Sequence, residues 1–336
     1  MTILVTGTAG FIGASMAHRL LDQGRPVFGL DNFNTYYDVA LKEARWARLT
    51  ERKGYRGQRL DIADGPLLLA LFDQIRPTRV IHLAAQAGVR YGLDNPMAYV
   101  DSNLTGFANV LEACRAHKVE HLVFASTSSV YGANKALPYA ENHGTAHQVS
   151  LYAATKRANE AMAHSYAHLF KIPMTGLRFF TVYGPWGRPD MAPQKFTARI
   201  CAGQSIDVYN NGKLKRDFTF IDDIVEGVVR VLDHIPVADE GWDPFNPAPD
   251  SSGVAPYRLF NIGRGETIQL MDFIATLEKH IGRKAELNMM GMQAGDVEGT
   301  WCDVSSLERA VGYRPKVSLD EGIEKTVTWF KAYYKV

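Results

Sequence analysis

Short apolar segments alternate with amphipathic segments along the first half of the chain. Ile3–Gly7 is apolar throughout, and Phe11–Gly24 carries apolar residues at helical spacing before it ends at a glycine. The same alternation predicts strands at Pro26–Asp31, Gln58–Ile62, Arg79–Ala85, His121–Ser126 and Pro173–Phe180, and helices at Leu67–Ile75, Met97–His117 and Leu151–Phe170. Strands that are apolar at nearly every position are typical of a parallel sheet covered on both faces. The pattern therefore predicts an α/β fold built from βαβ units.

The alternation stops near Thr181, where glycine and proline become frequent. Helices are predicted again at Ile268–Ile281, Ser305–Val311 and Leu319–Tyr334. We therefore expect residues 1–180 to form a Rossmann-type, doubly wound parallel sheet and residues 181–336 to form mainly a smaller α/β substrate-binding region, with some segments returning to the first domain.

Composition narrows the possible functions. The 336 residues include 37 basic and 36 acidic side chains, for a net charge of +1, so no basic surface for nucleic acid is expected. No apolar run approaches the ~20 residues that span a bilayer, and the start of the chain does not resemble a leader peptide. Three widely spaced cysteines form no disulfide framework, which favours a cytoplasmic protein. No metal site is expected.

The turn after the first predicted strand has the spacing GxxGxxG, with glycines at Gly7, Gly10 and Gly13. We expect a tight turn at the first, close approach of a pyrophosphate at the second, and helix–strand packing at the third. Asp31 ends the second predicted strand, where a carboxylate can accept both ribose hydroxyls and would repel a 2′-phosphate. The pattern predicts an NAD site; a glycine turn without ligand is the alternative. Asp61 either reaches the adenine or only caps a turn.

Two further clusters carry candidate chemistry. Tyr152 and Lys156 are four residues apart on a predicted helix, so they share one face. A neighbouring ammonium and a positive nicotinamide ring would lower the pKa of the phenol and make it a usable base. The hydroxyl-rich segment 125–132 ends a predicted strand, where it can bind a reacting oxygen. A solvated Tyr/Lys pair and an ordinary Ser/Thr turn are the alternatives.

These residues and several longer motifs resemble the extended short-chain dehydrogenase/reductases, and within them the nucleotide-sugar 4-epimerases. The motifs are TGTAGFIG from Thr6, HLAAQAGVRY from His82, ASTSSVYG from Ala125, YAATK from Tyr152, LRFFTVYGPWGRPDMA from Leu177, NNGKLKRDFTFIDDI from Asn210 and APYRLFNIG from Ala255. The resemblance covers essentially the whole chain. It is greatest to the UDP-glucuronate 4-epimerases.

The resemblance implies that NAD takes a hydride from C4 of the sugar and returns it to the opposite face of a transient 4-keto sugar. Tyr152 would be the base, Lys156 would hold the nicotinamide ribose, and Thr127 would assist the proton transfer. The cofactor-binding set implied is Gly7, Gly10, Phe11, Ile12, Gly13, Asp31, Asn32, Asp61, Ile62, Leu83, Ala84, Ala85, Tyr152 and Lys156. The helices at 97–117 and 151–170 resemble those that form a homodimer interface, although their apolar faces could equally be core.

The resemblance also implies residues for the UDP-sugar. Arg216 would contact the phosphates, Gln293 and Asp296 the uridine ribose, and Lys195 the nucleotide; Ala294 stands where the family usually has proline. For the sugar carboxylate we expect Arg188, because a guanidinium pairs bidentately with a carboxylate. The remaining candidate substrate contacts are Thr181, Arg90, Ser128 and Ser129.

Three alternatives stay open on the sequence. A UDP-glucuronate decarboxylase or a sugar 4,6-dehydratase would begin with the same oxidation, but Ser128 and Ser129 stand where those enzymes place acids. A 4-epimerase of the UDP-galactose type would use a neutral sugar. A non-catalytic NAD-binding sensor would have no use for Thr127, Tyr152 and Lys156 together.

Overall fold

The computed structural model describes residues 2–292 and 298–336. Its strands, in chain order, are β1 (Ile3–Thr6), β2 (Val27–Asp31), β3 (Tyr55–Arg59), β4 (Arg79–His82), β5 (His121–Thr127), β6 (Met174–Phe179), β7 (Thr181–Tyr183), β8 (Ile206–Val208), β9 (Lys215–Arg216), β10 (Phe218–Phe220), β11 (Tyr257–Ile262), β12 (Ile268–Gln269), β13 (Leu287–Met289) and β14 (Gly299–Thr300).

The α-helices are α1 (Phe11–Asp22), α2 (Val39–Thr50), α3 (Gly65–Ile75), α4 (Tyr91–Asp94), α5 (Pro96–Tyr99), α6 (Gly106–Ala116), α7 (Leu151–Phe170), α8 (Ala192–Ala202), α9 (Ile221–Asp233), α10 (Leu270–Ile281), α11 (Ser305–Val311) and α12 (Leu319–Tyr334). A π-helical segment covers Val100–Thr105, and 3₁₀ turns cover Ser128–Tyr131 and Tyr209–Gly212. Within the described ranges, no helix is long and apolar enough to cross a membrane.

Seven strands form one parallel sheet in the order β11-β6-β5-β4-β1-β2-β3. The chain moves outward from β1 in one direction through β2 and β3, and in the other through β4, β5 and β6. The strand order therefore reverses between β1 and β4, and ligands of such sheets bind outside the carboxyl ends of the strands at this reversal. The predicted doubly wound α/β fold is confirmed.

Apolar side chains of the sheet point alternately into two cores. Ile3 and Val5 of β1 lie in the core that contains α1 and α9, whereas Leu4 lies in the core that contains α3 and α6. All three are at most 1% exposed. Burial on both faces explains why the strands read as continuous apolar runs rather than as alternating ones.

Several predicted elements differ in detail. The strand predicted at Gln58–Ile62 lies at Tyr55–Arg59, and the single helix predicted at Met97–His117 is divided into α5, the π-helical segment and α6. The sequence analysis did not predict α2, α8, α9 or β11. Two of these elements contact residues 1–180, because β11 pairs with β6 and α9 packs against α1. The division into two domains stays a prediction.

Candidate functional site

A cavity of about 390 Å³ opens at the carboxyl ends of the central strands. It brings together residues that are far apart in the chain. The predicted site residues that line it are Gly7, Gly10, Phe11, Ile12, Gly13, Asp31, Asn32, Ile62, Leu83, Ala84, Ala85, Thr127, Ser128, Ser129, Tyr152, Lys156, Thr181 and Arg188.

The glycine turn connects β1 to α1 and brings the helix N-terminus to the cavity. Gly7 has a φ of +77°, which L side chains rarely adopt, and its N–H donates to Leu30 O at 2.6 Å. A Cβ on Gly13 would lie 2.0 Å from Gly7 O, and one on Gly10 would lie 2.9 Å from the same oxygen. The turn's own backbone therefore excludes side chains at both positions. The unpaired N–H groups of the first helical turn are left to face an anion.

Asp31 is held firmly at the end of β2. Its Oδ2 accepts from Ala9 N at 3.0 Å and its Oδ1 accepts from Phe33 N at 2.8 Å. Burial raises the pKa of this carboxyl, although the two backbone N–H donors act in the opposite direction. Each oxygen retains capacity for one further donor, as binding to ribose hydroxyls requires.

Asp61 does not line the cavity. Its Oδ2 accepts from Asn32 Nδ2 at 2.9 Å, and its Oδ1 accepts from Ala63 N at 2.9 Å. The carboxylate thus closes a turn and orients Asn32, which does line the cavity. Its contact with the adenine stays a prediction.

Tyr152 lies in the first turn of α7, which Ser150 caps through a hydrogen bond from Ala153 N at 3.1 Å. Burial raises the pKa of the phenol, while the hydrogen bond with Thr127 and the charge of Arg188 lower it. The expectation that Lys156 and a bound nicotinamide ring lower the pKa of Tyr152 stays a prediction.

Lys156 is 2% exposed, and its Nζ donates to Ala125 O at 2.8 Å. Burial lowers its pKa to about 8, against the opposing charge of Glu160 one turn further along α7. Glu160 in turn forms a buried ion pair with Arg178, with Nε–Oε1 2.9 Å and Nη2–Oε2 3.0 Å. The sequence analysis did not identify either member of this pair.

The other end of the cavity carries hydroxyls and a guanidinium. Ser128 and Ser129 form the start of the 3₁₀ turn after β5, and Thr181 begins β7. Arg188 forms an ion pair with Asp190. Because Arg188 also influences the pKa of Tyr152, its charge acts on the candidate reaction centre.

Three predicted substrate residues lie outside this cavity, and two more are not among the described residues. Arg90 is exposed, with its guanidinium 5.8 Å from the centre of the Tyr209 ring. Lys195 is exposed on α8, and Arg216 donates from Nη1 to Lys215 O at 2.9 Å. Gln293 and Asp296 are the two predicted residues that the structure does not describe. Their contacts with a nucleotide stay predictions.

The structure adds lining residues that the sequence analysis missed. Among them are four residues from the segment before and inside α2, namely Asn34, Tyr36, Tyr37 and Lys42. Lys42 Nζ donates to both the backbone oxygen and Oδ1 of Asn34 at 2.6 Å. In the sequence, the adjacent pair Tyr36 and Tyr37, followed by Lys42, was the feature that could have indicated these lining residues. Among the described residues, no group of His, Cys, Asp and Glu side chains could hold a metal ion.

Comparison with known proteins agrees with this geometry. Residues 3–243 match the model of the NAD dependent epimerase/dehydratase family. A probable UDP-glucuronate 4-epimerase of Rhizobium meliloti is 49% identical over 100% of this chain and 98% of that protein.

Two solved structures illustrate the similarity in three dimensions. The UDP-glucuronic acid 4-epimerase of Bacillus cereus, crystallised with UDP-glucuronic acid and NAD, has a TM-score of 0.88 and 33% identity, covering 99% of this chain and 100% of that one. The UDP-glucose 4-epimerase of Thermotoga maritima, solved with UDP-glucose, has a TM-score of 0.85 and 28% identity, covering 99% and 100% of the two chains. The chain belongs to the NAD dependent epimerase/dehydratase family.

Proposed function

We propose that this protein interconverts UDP-glucuronate and UDP-galacturonate by inverting C4 of the sugar, with NAD as its bound cofactor. One observation carries the proposal. The Tyr152 phenol, the Thr127 hydroxyl and the Arg188 guanidinium line the same cavity as the glycine turn and Asp31. A base for a sugar hydroxyl and a cation for a carboxylate are thus close together, beside a dinucleotide cradle.

The residues present fit NAD. The glycine turn leaves the N-terminus of α1 open to the pyrophosphate, and Asp31 offers its carboxylate to the adenosine ribose. A 2′-phosphate would face this carboxylate, so NAD is favoured over NADP. When bound, NAD accepts a hydride from C4 of the sugar and later returns it.

The chain's own residues manage the accompanying proton. Tyr152 takes the proton from O4 as C4 is oxidised, and gives it back to the inverted alcohol. The hydrogen bond with Thr127 and the charge of Arg188 stabilise the phenolate that forms in between. Lys156, fixed by Ala125 O, holds the nicotinamide ribose and adds positive charge on the same face of α7.

The sugar end favours a uronic acid over a neutral sugar. Arg188 supplies the cation for the carboxylate, and Ser128, Ser129 and Thr181 supply hydroxyls around it. Lys195 and Arg216, which lie outside this cavity, are proposed to anchor UDP together with Gln293 and Asp296, and Arg90 stays a second candidate for the sugar. If UDP is bound tightly and the sugar loosely, the keto sugar can rotate about the diphosphate bonds while the nucleotide stays in place.

The decarboxylase and dehydratase alternatives need an acid at the positions that Ser128 and Ser129 occupy here. Within the described part of the chain, the acidic residue that lines the cavity is Asp31, at the cofactor end. A dehydratase needs a carboxyl group near the sugar, and Ser128 and Ser129 stand there instead. The protein is further proposed to act as a cytoplasmic homodimer; the support is the helix resemblance and the three free cysteines.

Proton NMR of the product from UDP-glucuronate tests the proposal. We expect UDP-galacturonate, with no net consumption of NAD. A Tyr152→Phe variant should turn over ~10²–10⁴-fold more slowly, because the O4 proton loses its acceptor. Tyr166→Phe is the matched control on the same helix: the Tyr166 hydroxyl bonds to the exposed Glu112 instead, so activity should persist. A UDP-pentose or a deoxy sugar as product, or full activity of Tyr152→Phe, would refute the assignment.

A further inference from the structure

Arg188 does not meet the sugar as an independent cation. Its Nε lies 3.0 Å from Asp190 Oδ1 and its Nη2 lies 2.5 Å from Asp190 Oδ2, a bidentate geometry that uses one edge of the guanidinium. Nη1 is the nitrogen that this pair leaves uncommitted. Both side chains are 23% exposed, and Arg188 lines the cavity, so the pair lies at the cavity edge rather than in the core.

Asp190 is itself held in place from a second side. The Tyr36 hydroxyl donates to Asp190 Oδ2 at 3.0 Å, and the Tyr36 ring packs edge-on against Tyr91 with 4.9 Å between centroids. A Cβ on Gly88 would lie 2.2 Å from that hydroxyl, so the glycine leaves the space that Tyr36 occupies.

The carboxylate of Asp190 is ionised in this setting. Burial acts to raise its pKa, but the hydrogen bond and charge of Arg188 hold the pKa below its ordinary value. A sugar carboxylate that reaches Nη1 therefore shares one guanidinium with a second, fixed anion. Two carboxylates on one cation repel each other, which weakens the binding of the mobile one.

From this geometry, and resting on the proposed function, we propose that Asp190 is a specificity-determining residue that limits how tightly Arg188 binds the sugar carboxylate. The carboxylate must leave and re-form its contact when the keto sugar turns over. If Arg188 had no other anionic partner, it could form a bidentate, charge-assisted pair with the sugar carboxylate, and so strong a contact would oppose this motion. Sharing the arginine keeps the uronic acid bound while letting the ring move.

Asp190→Asn tests the proposal, because it removes the competing charge and retains one acceptor oxygen for Arg188. Dissociation constants are measured by calorimetry for the NAD-loaded protein in a Tyr152→Phe background, where turnover is suppressed. We expect UDP-glucuronate to bind about five- to tenfold more tightly after the substitution. The affinity for UDP-glucose, which has no carboxylate, should change less than twofold. In the catalytically intact background, KM for UDP-glucuronate and kcat should both fall.

Two further variants make the result decisive. Asp190→Ser removes the same charge with a smaller side chain and should tighten UDP-glucuronate binding as well, should Asp190→Asn not fold. Tyr36→Phe removes the hydrogen bond to Asp190 but not its charge, so it should not tighten binding. Unchanged or weaker UDP-glucuronate binding in the Asp190 variants overturns the inference. The parent protein is assayed for epimerisation in parallel, and its inability to convert UDP-glucuronate would instead overturn the proposed function.

Discussion

Two arginine–carboxylate pairs lie near the candidate base, with similar geometry and different surroundings. In Arg178–Glu160 the side chains are 1% and 0% exposed, whereas in Arg188–Asp190 both are 23% exposed. A pair sealed from water cannot exchange partners without leaving a buried charge, while a pair at a cavity edge can accept a ligand or solvent. The first pair is therefore suited to fixing the site, and the second to adjusting to what binds there.

The buried pair connects three strands with the helix that carries Tyr152. Arg178 of β6 stands opposite Ser126 of β5 and Asn261 of β11 in the sheet register. The Ser126 hydroxyl donates to Glu160 Oε1 at 2.6 Å, and Arg178 Nη1 donates to the Tyr131 hydroxyl at 3.1 Å. Since Glu160 lies one turn beyond Lys156, the network fixes α7 against the strand ends that form the cavity floor.

The largest loss of stability is expected from breaking the buried Arg178–Glu160 pair. Arg178→Met should lower the free energy of unfolding by about 3–5 kcal/mol, because the Glu160 carboxylate remains buried without its cation. Urea denaturation of the NAD-loaded protein measures this. Replacing both residues, as Arg178→Met with Glu160→Leu, should restore much of the loss. Arg115→Met removes an exposed pair with Glu112 and is the control, with a far smaller effect expected. Equal losses for Arg178→Met and Arg115→Met would remove the distinction between buried and exposed pairs.

The second prediction concerns the pH dependence of stability and compares two buried carboxyl groups. Glu160 forms an ion pair with Arg178, whereas the Glu141 carboxylate accepts a hydrogen bond from a backbone N–H. Glu141 is 5% exposed, and its Oε1 accepts from Asn261 N at 2.8 Å. Burial raises its pKa to about 7. Because this folded-state pKa exceeds that of the unfolded chain, the native protein binds more protons between about pH 4.5 and 7, and stability falls as the pH rises through this range.

Glu141→Gln removes this penalty. Relative to the parent, the variant should gain up to about 3 kcal/mol above pH 7 and nothing near pH 4.5, because there the native carboxyl is already neutral. Unfolding measured at pH 5 and pH 8 on both proteins gives the difference. If the gain in the free energy of unfolding is the same at both pH values, the charge of Glu141 carries no burial penalty and is balanced by its surroundings, as Arg178 balances that of Glu160.

Local patterns predicted much of the sheet and the cavity. The turn at Gly7, Asp31 at a strand end, and Tyr152 with Lys156 on one helix each depend on residues near one another in sequence, and all of them line the cavity. The identity of the sheet's last strand was not predictable in this way. β11 follows a long polar segment, and only its pairing with β6 across the fold places it in the sheet.

Side chains that depend on tertiary partners were missed for a related reason. Helix α2 buries Lys42 and Arg45 along with Leu41 and Leu49, so its pattern of apolar residues is weak. Arg45 is fully buried because it donates to Ala9 O in the glycine turn and to Trp186 O near Arg188. Neither partner can be inferred from the sequence around Arg45.

The smallest change in the free energy of unfolding is expected for the Arg188–Asp190 pair at the cavity edge, and its size should depend on which ligand is bound. Asp190→Asn should lower the free energy of unfolding of the NAD-loaded protein by about 1 kcal/mol, because the pair is partly exposed and Asn retains one hydrogen bond. Tenfold tighter binding of UDP-glucuronate adds about 1.4 kcal/mol at concentrations far above both dissociation constants. Saturating UDP-glucuronate should therefore cancel the deficit, whereas saturating UDP-glucose should leave it unchanged. A deficit equal under both ligands would mean that Arg188–Asp190 is as fixed as Arg178–Glu160, because an arginine that cannot be shared gives no advantage to a ligand carrying a carboxylate.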